Sequence, residues 1–550
     1  MKKVLLVAVV SLGLLAGSVS SVNATSDWGD AIAIPALIGL NIGNGARGSS
    51  VSCASAGNCA VTGLYTDGAG DQQGFVVNQT DGTWGNAIAI PALSVLNTGG
   101  DAEGTSVSCA SAGNCAVTGY YITASAIQGF VVNQTDGTWG NAIPIPALIG
   151  LNTGNGAEGT SESCASAGNC AVTGLYRDGA GGQGFVVNQT GGTWGNAIAI
   201  PALSGLNTGD DARGSSVSCA SAGNCAVTGY YGVGLGDEGF VVTQTDGTWG
   251  DAIPIPALIG LNTGANADSN SVSCASAGNC AVTGYYDDGT DQQGFVVNQT
   301  GGTWGNAIAI PALSGLNTSG NAGGSSVSCA SAGNCAVTGF YKDSAGGQGF
   351  VVNQTSGTWG SAIAIPALSS INTAGDAEGS SVSCASAGNC AVTGYYKAGA
   401  GLQGFVVNQT NGTWGNAIAI PALSVLNTGA NAQGTSVSCA SAGNCAVTGY
   451  YTGGSGFQGF VVNQTNGTWG NAIAIPALSV LNTGANAEGT SVSCASAGNC
   501  AVTGFYNNGA GPAGGIGVVP ARPAGDQGFV VNLTSVVPPT DPAVVLKFTG

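Results

Sequence analysis

Nine cysteine pairs recur along this chain at one spacing, and no other feature limits its fold as strongly. The pairs are Cys53/Cys59, Cys109/Cys115, Cys164/Cys170, Cys219/Cys225, Cys274/Cys280, Cys329/Cys335, Cys384/Cys390, Cys439/Cys445 and Cys494/Cys500. Successive first cysteines lie 56 residues apart once and 55 apart thereafter, and nine tryptophans from Trp28 to Trp469 keep the same period. By length alone, 550 residues would divide into several domains. A fixed period instead makes them one array of small units, each burying its apolar surface against its neighbours.

One unit reads, from Ser106, SVSCASAGNCAVTGYY, a variable loop, QGFVVNQTDGTWGNAIPIPAL, and a second variable loop. Four strand-like runs fit it: strand A from Ser106 to Cys109, B from Cys115 to Tyr121, C from Gly129 to Thr135, and D from Trp139 to Leu148. Ser-Ala-Gly-Asn turns the chain between A and B, and Asp-Gly turns it between C and D. Pro144 and Pro146 lack the N–H a ladder needs, so D is expected at the outer edge. No stretch combines helical periodicity with caps, so the chain is expected to be almost all β.

A four-stranded antiparallel unit repeated radially is a β-propeller blade. After residues 1–24, expected to be removed, the sequence opens on a D-type strand, Trp28 to Leu37, and its last repeat stops after a C-type strand, Gly528 to Thr534. The N-terminal strand is therefore expected to complete a ninth blade and close the ring. Nine blades exceed the usual four to eight, so the alternative is an open β-repeat array.

Met1-Lys2-Lys3 is a basic start, Val4 to Leu15 an apolar run too short to span a bilayer, and Val22-Asn23-Ala24 a small-residue cleavage site. The expected divisions are a signal peptide over 1–24, the nine-repeat propeller over 25–534 and a tail over 535–550. Export to the periplasm, the cell surface or the medium follows, and a mature monomer with no transmembrane segment is expected. In that oxidising setting the C-x5-C pairs read as disulfides, stapling A–B turns that have little core of their own. Thiolate metal sites would need C-x2-C spacing or His partners, and the chain has no His. A loop this short gives about 2.4 kcal/mol per bridge in the chain-entropy model.

Loss of Lys2 and Lys3 would take the net charge from −18 to −20. Nucleic acid and anionic lipid both need clustered cations, so neither is an expected partner. The absence of His also removes the usual general base and any Ser-His or Cys-His dyad.

The unit resembles blades of the bacterial neuraminidase-repeat or Asp-box kind, including photosystem-assembly-factor-like propellers. The residues that carry the likeness are Val107-Ser108-Cys109, Asn114 to Gly119, and Thr135-Asp136-Gly137-Thr138-Trp139. Cys stands where those blades have aromatic residues. Asp occurs in the box only as Asp81, Asp136 and Asp246, against Gly191, Gly301, Ser356, Asn411 and Asn466 elsewhere. The unit also looks like Cys-paired repeats of secreted bacterial proteins. The resemblance implies a propeller and no particular chemistry.

In a propeller the A–B and C–D turns share one face, and the B–C and D–A loops share the other. Ala-Ser-Ala-Gly-Asn between the cysteines is identical in all nine copies, whereas the B–C and D–A loops differ. The loops hold most of the acids: Asp67, Asp71, Asp101, Glu103, Asp178, Asp210, Asp211, Asp237, Glu238, Asp287, Asp288 and Asp291, with Asp376 and Glu378. This face is the candidate binding surface for a protein or glycan, set against loop tips that merely carry solvating charge. No catalytic residue, metal site or cofactor is assigned; Ca²⁺ at the acids has no supporting motif. A structural envelope protein and a sialidase-type hydrolase are the alternatives, the latter short of arginines, with only Arg47, Arg177, Arg213 and Arg522.

Three local features stand apart. The ninth B–C loop, Tyr506 to Gly528, is long and carries Pro512 to Pro523. Asn-x-Thr recurs at Asn78, Asn133, Asn188, Asn298, Asn353, Asn408, Asn463 and Asn532 as a minor glycosylation prospect. Glu162 replaces the strand-A valine in one copy alone, at a position expected to be packed.

Overall fold

The computed structural model describes residues 26–535 except 44, 235, 265, 455, 485 and 510–524. The expected signal segment, the Pro512 to Pro523 stretch with Arg522, and the tail after Ser535 lie outside the described residues. Nine small antiparallel sheets form a nine-bladed β-propeller. In blade 2, strand A is Ala102–Ser111, B is Asn114–Ile122 and C is Ile127–Thr135. Strand A lies innermost, beside strand A of each neighbouring blade, and blade 1 (Ala46–Ser55) meets blade 9 (Ala487–Ser496) in the same way.

The ring is closed, which overturns the open-array alternative. Ser26–Trp28 and Ile32–Ala33 pair with Asp526–Ser535, so the N-terminal segment supplies the outer strand of blade 9.

Both faces of each blade are covered by neighbours, which explains the unbroken apolar run in strand C. Phe130 and Val132 pack toward Ala60 and Val76 of blade 1, while Val131 and Ala116 pack toward Ile145, Leu148 and Phe185 at the blade 3 seam.

Polar contacts close the same seams at two radii. Near the axis, the N–H of Cys109 donates to Ser52 Oγ of the preceding blade at 3.0 Å, and Cys53 N–H to Ser493 Oγ closes the circle. The Ser-Cys dipeptide thus satisfies inner-edge N–H groups that would otherwise template further strands. At the rim, Ala142 N–H donates to Pro91 O at 2.7 Å, and Ala31 N–H to Pro476 O completes that circle. Trp139 Nε1 donates to Asn78 Oδ1 at 2.7 Å, and Asn78 Nδ2 donates to Gly137 O at 3.1 Å. Asn78, Asn133, Asn188, Asn298, Asn353, Asn408 and Asn532 of the strand-C Asn-x-Thr tripeptides each accept a tryptophan N–H in this way. The tripeptide recurs because the clamp does.

Three expectations about the elements are corrected. Strand A starts at Ala102 instead of Ser106, because a bulge between Gly104 and Ser106 breaks the period-two pattern. Strand D is not one run from Trp139 to Leu148. It is two pieces, Thr138–Trp139 and Ile143–Pro144, interrupted where Ala142 turns its N–H to the neighbouring blade. A single helical turn, Leu148–Leu151, then follows in place of loop, and its counterparts occur in every D–A connection. One turn is too short to print a helical period. The outer position of Pro144, opposite Phe130, is as expected.

The cysteines pair as expected: Cys53–Cys59, Cys109–Cys115, Cys164–Cys170, Cys219–Cys225, Cys274–Cys280, Cys329–Cys335, Cys384–Cys390, Cys439–Cys445 and Cys494–Cys500, each at a Cα separation of 4.0 Å. Their surroundings differ from the expectation of turns with little core of their own. The second member of every pair, namely Cys59, Cys115, Cys170, Cys225, Cys280, Cys335, Cys390, Cys445 and Cys500, is buried, at 4–7% exposure. Each belongs to the apolar core of an inter-blade seam, and its half-buried partner packs against the same core. The reason is strand periodicity. Cys115 stands two residues before Val117 in strand B, so both side chains point to one seam. These disulfides are core elements as well as staples.

The Asp-box position also gains a cause. Asp81 and Asp136 have φ of 46° and 45°, and the Gly after each is positive too, the geometry of a type I′ turn. Asp, Asn, Ser or Gly at that site meets one backbone demand.

Candidate functional site

The A–B and C–D turns do share a face: Gly137 N–H donates to Gly113 O across them. The B–C and D–A connections meet at the opposite end, where Asn97 Oδ1 accepts from Ile122 N–H and Asn97 Nδ2 donates to Gln72 O. The variable residues therefore gather on one face.

Their carboxylates are not equivalent. Several close their own hairpins. Asp67 accepts from the N–H groups of Ala69 and Asp71, Asp178 from Ala180 and Asp287 from Gly289. Asp288 accepts from the N–H groups of Thr290 and Asp291 and from the Thr290 hydroxyl, which holds its carboxyl below the usual range. These are Asx turns, and they account for the acids at those loop tips. Asp71, Asp101, Asp210 and Asp291 stand in the same connections, where the backbone carbonyls of Asp101 and Asp210 accept from Ile122 and Gly182.

Six residues expected in loops lie in strands. Glu103 and Glu378 are in strand A of blades 2 and 7, Asp178 and Asp287 end strand B of blades 3 and 5, and Asp237 and Glu238 are in strand C of blade 4 (Gly236–Thr245). Pairing continues further toward the loop face than the apolar pattern implies. Glu238 is buried and accepts from Asn262 Nδ2 at 2.7 Å; burial raises its pKa.

Glu103 reveals the feature that sequence reading missed. Six residues before the first cysteine of each pair, at the inner end of the loop face, stand in ring order Arg47, Glu103, Glu158, Arg213, Asp268, Gly323, Glu378, Gln433 and Glu488. The signal was present as a charged, changing residue at fixed offset inside an otherwise uniform strand. An expected strand start at Ser106 leaves this position outside strand A, which begins at Ala102.

The ring is electrostatically uneven. Arg47 Nη2 reaches both carboxylate oxygens of Glu103, at 3.1 and 3.2 Å, and Ser49 Oγ donates to Glu103 at 2.8 Å. A cavity of about 260 Å³ opens beside this pair, lined by Arg47, Leu64, Gln72, Glu103, Tyr120 and Asp526. At the blade 4–5 seam Asp268 is one methylene shorter than Glu103, and no hydrogen-bonded pair forms. Arg213 instead lies over the Tyr230 ring at 5.7 Å, and Tyr230 donates to Asp211 at 3.2 Å. Burial pushes Asp268 up to about 6, Arg213 opposing and Asp237 adding to the rise. Burial also raises Glu378, which accepts from Ser325 Oγ, and Glu488. The arrangement can supply hydrogen bonds and mixed charge to a ligand at the mouth of the axis.

Among the described residues, no three carboxylates bring oxygens within 4.8 Å of one another. The three described arginines sit on blades 1, 3 and 4. Glu162 is packed as expected, 8% exposed in the strand-A position where the other copies have Val. No helix among the described residues is long and apolar enough to cross a membrane. Nine disulfides fit an oxidising compartment.

No family model matches the sequence, and no curated protein does. Solved structures with a similar fold include a protein of unknown function from Dyadobacter fermentans, at 13% identity over 58% of this chain and 93% of that one, TM-score 0.31. A GH74 xyloglucanase from Xanthomonas campestris matches at 10% identity over 87% and 72%, TM-score 0.35. A Hadza microbial sialidase matches at 10% identity over 66% and 74%, TM-score 0.29. At such identities and TM-scores these likenesses carry no argument about chemistry.

Proposed function

We propose that the chain is an exported, non-catalytic binding scaffold that takes a protein or a glycan on its B–C/D–A face, near the axis. One observation carries the reading. Residues that hold the blades together recur around the ring, while the inner position runs through Arg, Glu, Asp, Gln and Gly. A rigid ring with one varied end is suited to selective binding. The test is a glycan and surface-protein array probed with the wild type and with a chain whose blade 4 and 5 loops and inner residues are exchanged for those of blade 8. Loss of the wild-type hits is expected; identical profiles would sink the proposal.

A structural or adhesive role through repetition is the second reading. It is favoured by the nine outer-strand isoleucines, from Ile32 to Ile473, each about two-fifths exposed around the rim. Copy number would then set avidity, and single-loop exchanges would do nothing. Sialidase chemistry would require turnover of sialosides, for which the separated arginines give no support.

A further inference from the structure

Glu162 is the one acid among nine equivalent positions, the others being Val51, Val107, Val217, Val272, Val327, Val382, Val437 and Val492. Its side chain is more than nine-tenths buried, and Oε2 has no hydrogen-bond partner. Oε1 lies 3.8 Å from Cys164 Sγ, an atom with no proton to give while the disulfide is intact. One oxygen of Glu162 and the sulfurs of Cys164 and Cys170 all lie within 4.8 Å of one another, the only such donor group of three among the described residues. Thr118 gives the carboxyl one backbone hydrogen bond, but a buried carboxyl oxygen left without a partner costs stability, so one aimed at a sulfur pair asks for a partner at that spot.

We propose that blade 3 carries a redox-gated metal site in which Glu162, Cys164 and Cys170 bind one thiophilic divalent cation of the Zn²⁺ class after the disulfide is reduced. A dithiol reductant supplies two electrons and two protons, leaves as its own disulfide, and converts Cys164 and Cys170 to thiols. The cation then displaces both thiol protons and the Glu162 proton. Two thiolates and one carboxylate bind it and leave a fourth, tetrahedral position for water. The sulfurs must separate to about 3.8 Å for metal–sulfur bonds near 2.3 Å in a tetrahedral site. With their Cα atoms 4.0 Å apart, side-chain rotation provides that separation. The cation also neutralises the buried carboxylate, so reduction would turn an unfavourable group into a ligand. The other eight pairs keep valine and offer two sulfurs only.

The test uses the full chain reduced with a phosphine, Co²⁺ as the probe, and circular dichroism to follow the fold. One tight equivalent with a thiolate-to-cobalt charge-transfer band is expected. In Glu162→Val that site should bind at least about 100-fold more weakly. Val217→Glu, which puts the acid beside Cys219 and Cys225, should add a second equivalent. Equal titrations of wild type and E162V, no charge-transfer band in the wild type, or a reduced chain that stays unfolded with Co²⁺ present would each overturn the proposal.

Discussion

In the oxidised chain, Glu162→Val is expected to stabilise the propeller by about 1–3 kcal/mol at pH 4 and by more at pH 8. The acid-side gain comes from removing a buried carboxyl whose Oε2 is unpaired. The further gain comes from ionisation. Burial raises the Glu162 pKa well above 4.5, partly offset by a backbone hydrogen bond from Thr118. The folded state therefore holds this proton to higher pH than the unfolded chain does. A raised acid contributes its least unfavourable balance below the unfolded pKa, and stability falls as pH rises above about 4.5 toward the folded pKa. Guanidinium unfolding of both proteins at pH 4 and pH 8 measures the difference. A wild type as stable as the variant at both values would remove Glu162 from the seam. The same substitution abolishes the metal ligand, so stability and the proposed site would trade against each other.

Deleting residues 26–37 is expected to have the largest effect of any short deletion. Trp28 is 8% exposed, and Ile34 and Leu37 are 1% exposed. Exposing their seams gives up about 5–8 kcal/mol of apolar burial. The deletion also removes the pairing with Asp526–Ser535 and the Ala31–Pro476 link. A ring that loses its fastening leaves blades 9 and 1 joined through the inner contacts and the Trp84–Asn532 clamp, without the outer strand that completes blade 9. A large fall in the guanidinium midpoint and an increased radius of gyration in solution scattering should follow, with recovery when a peptide of residues 26–40 is added. An unchanged midpoint would mean that the N-terminal strand does not hold the ring.

Much of this was legible from one dimension. Gly129 to Thr135 announced a strand, and Pro144 announced an edge. Cys109 and Cys115, six residues apart about a turn, could reach each other across a hairpin. What was not legible was anything whose partner sits one repeat away. Cys115 reads as a turn staple until the neighbouring blade covers it. Asn78 and Trp139 are 61 residues apart and look like a sequon and a strand marker until the blades are side by side. Ser52 and Cys109 look like spacer and staple until one hydroxyl meets the next blade's N–H. Glu103 looks like a loop acid because the bulge at Gly104 hides the first residues of its strand.

The nine-fold cysteine period by itself determined the unit, its hairpins, its disulfides and the number of blades, because each depends on residues close in the chain. Period alone is also compatible with an open array. Closure, the inter-blade clamps and the uneven ring from Arg47 to Glu488 were decided only by the tertiary structure. They arise from contacts between repeats, and the sequence does not state how far one repeat is rotated against the next.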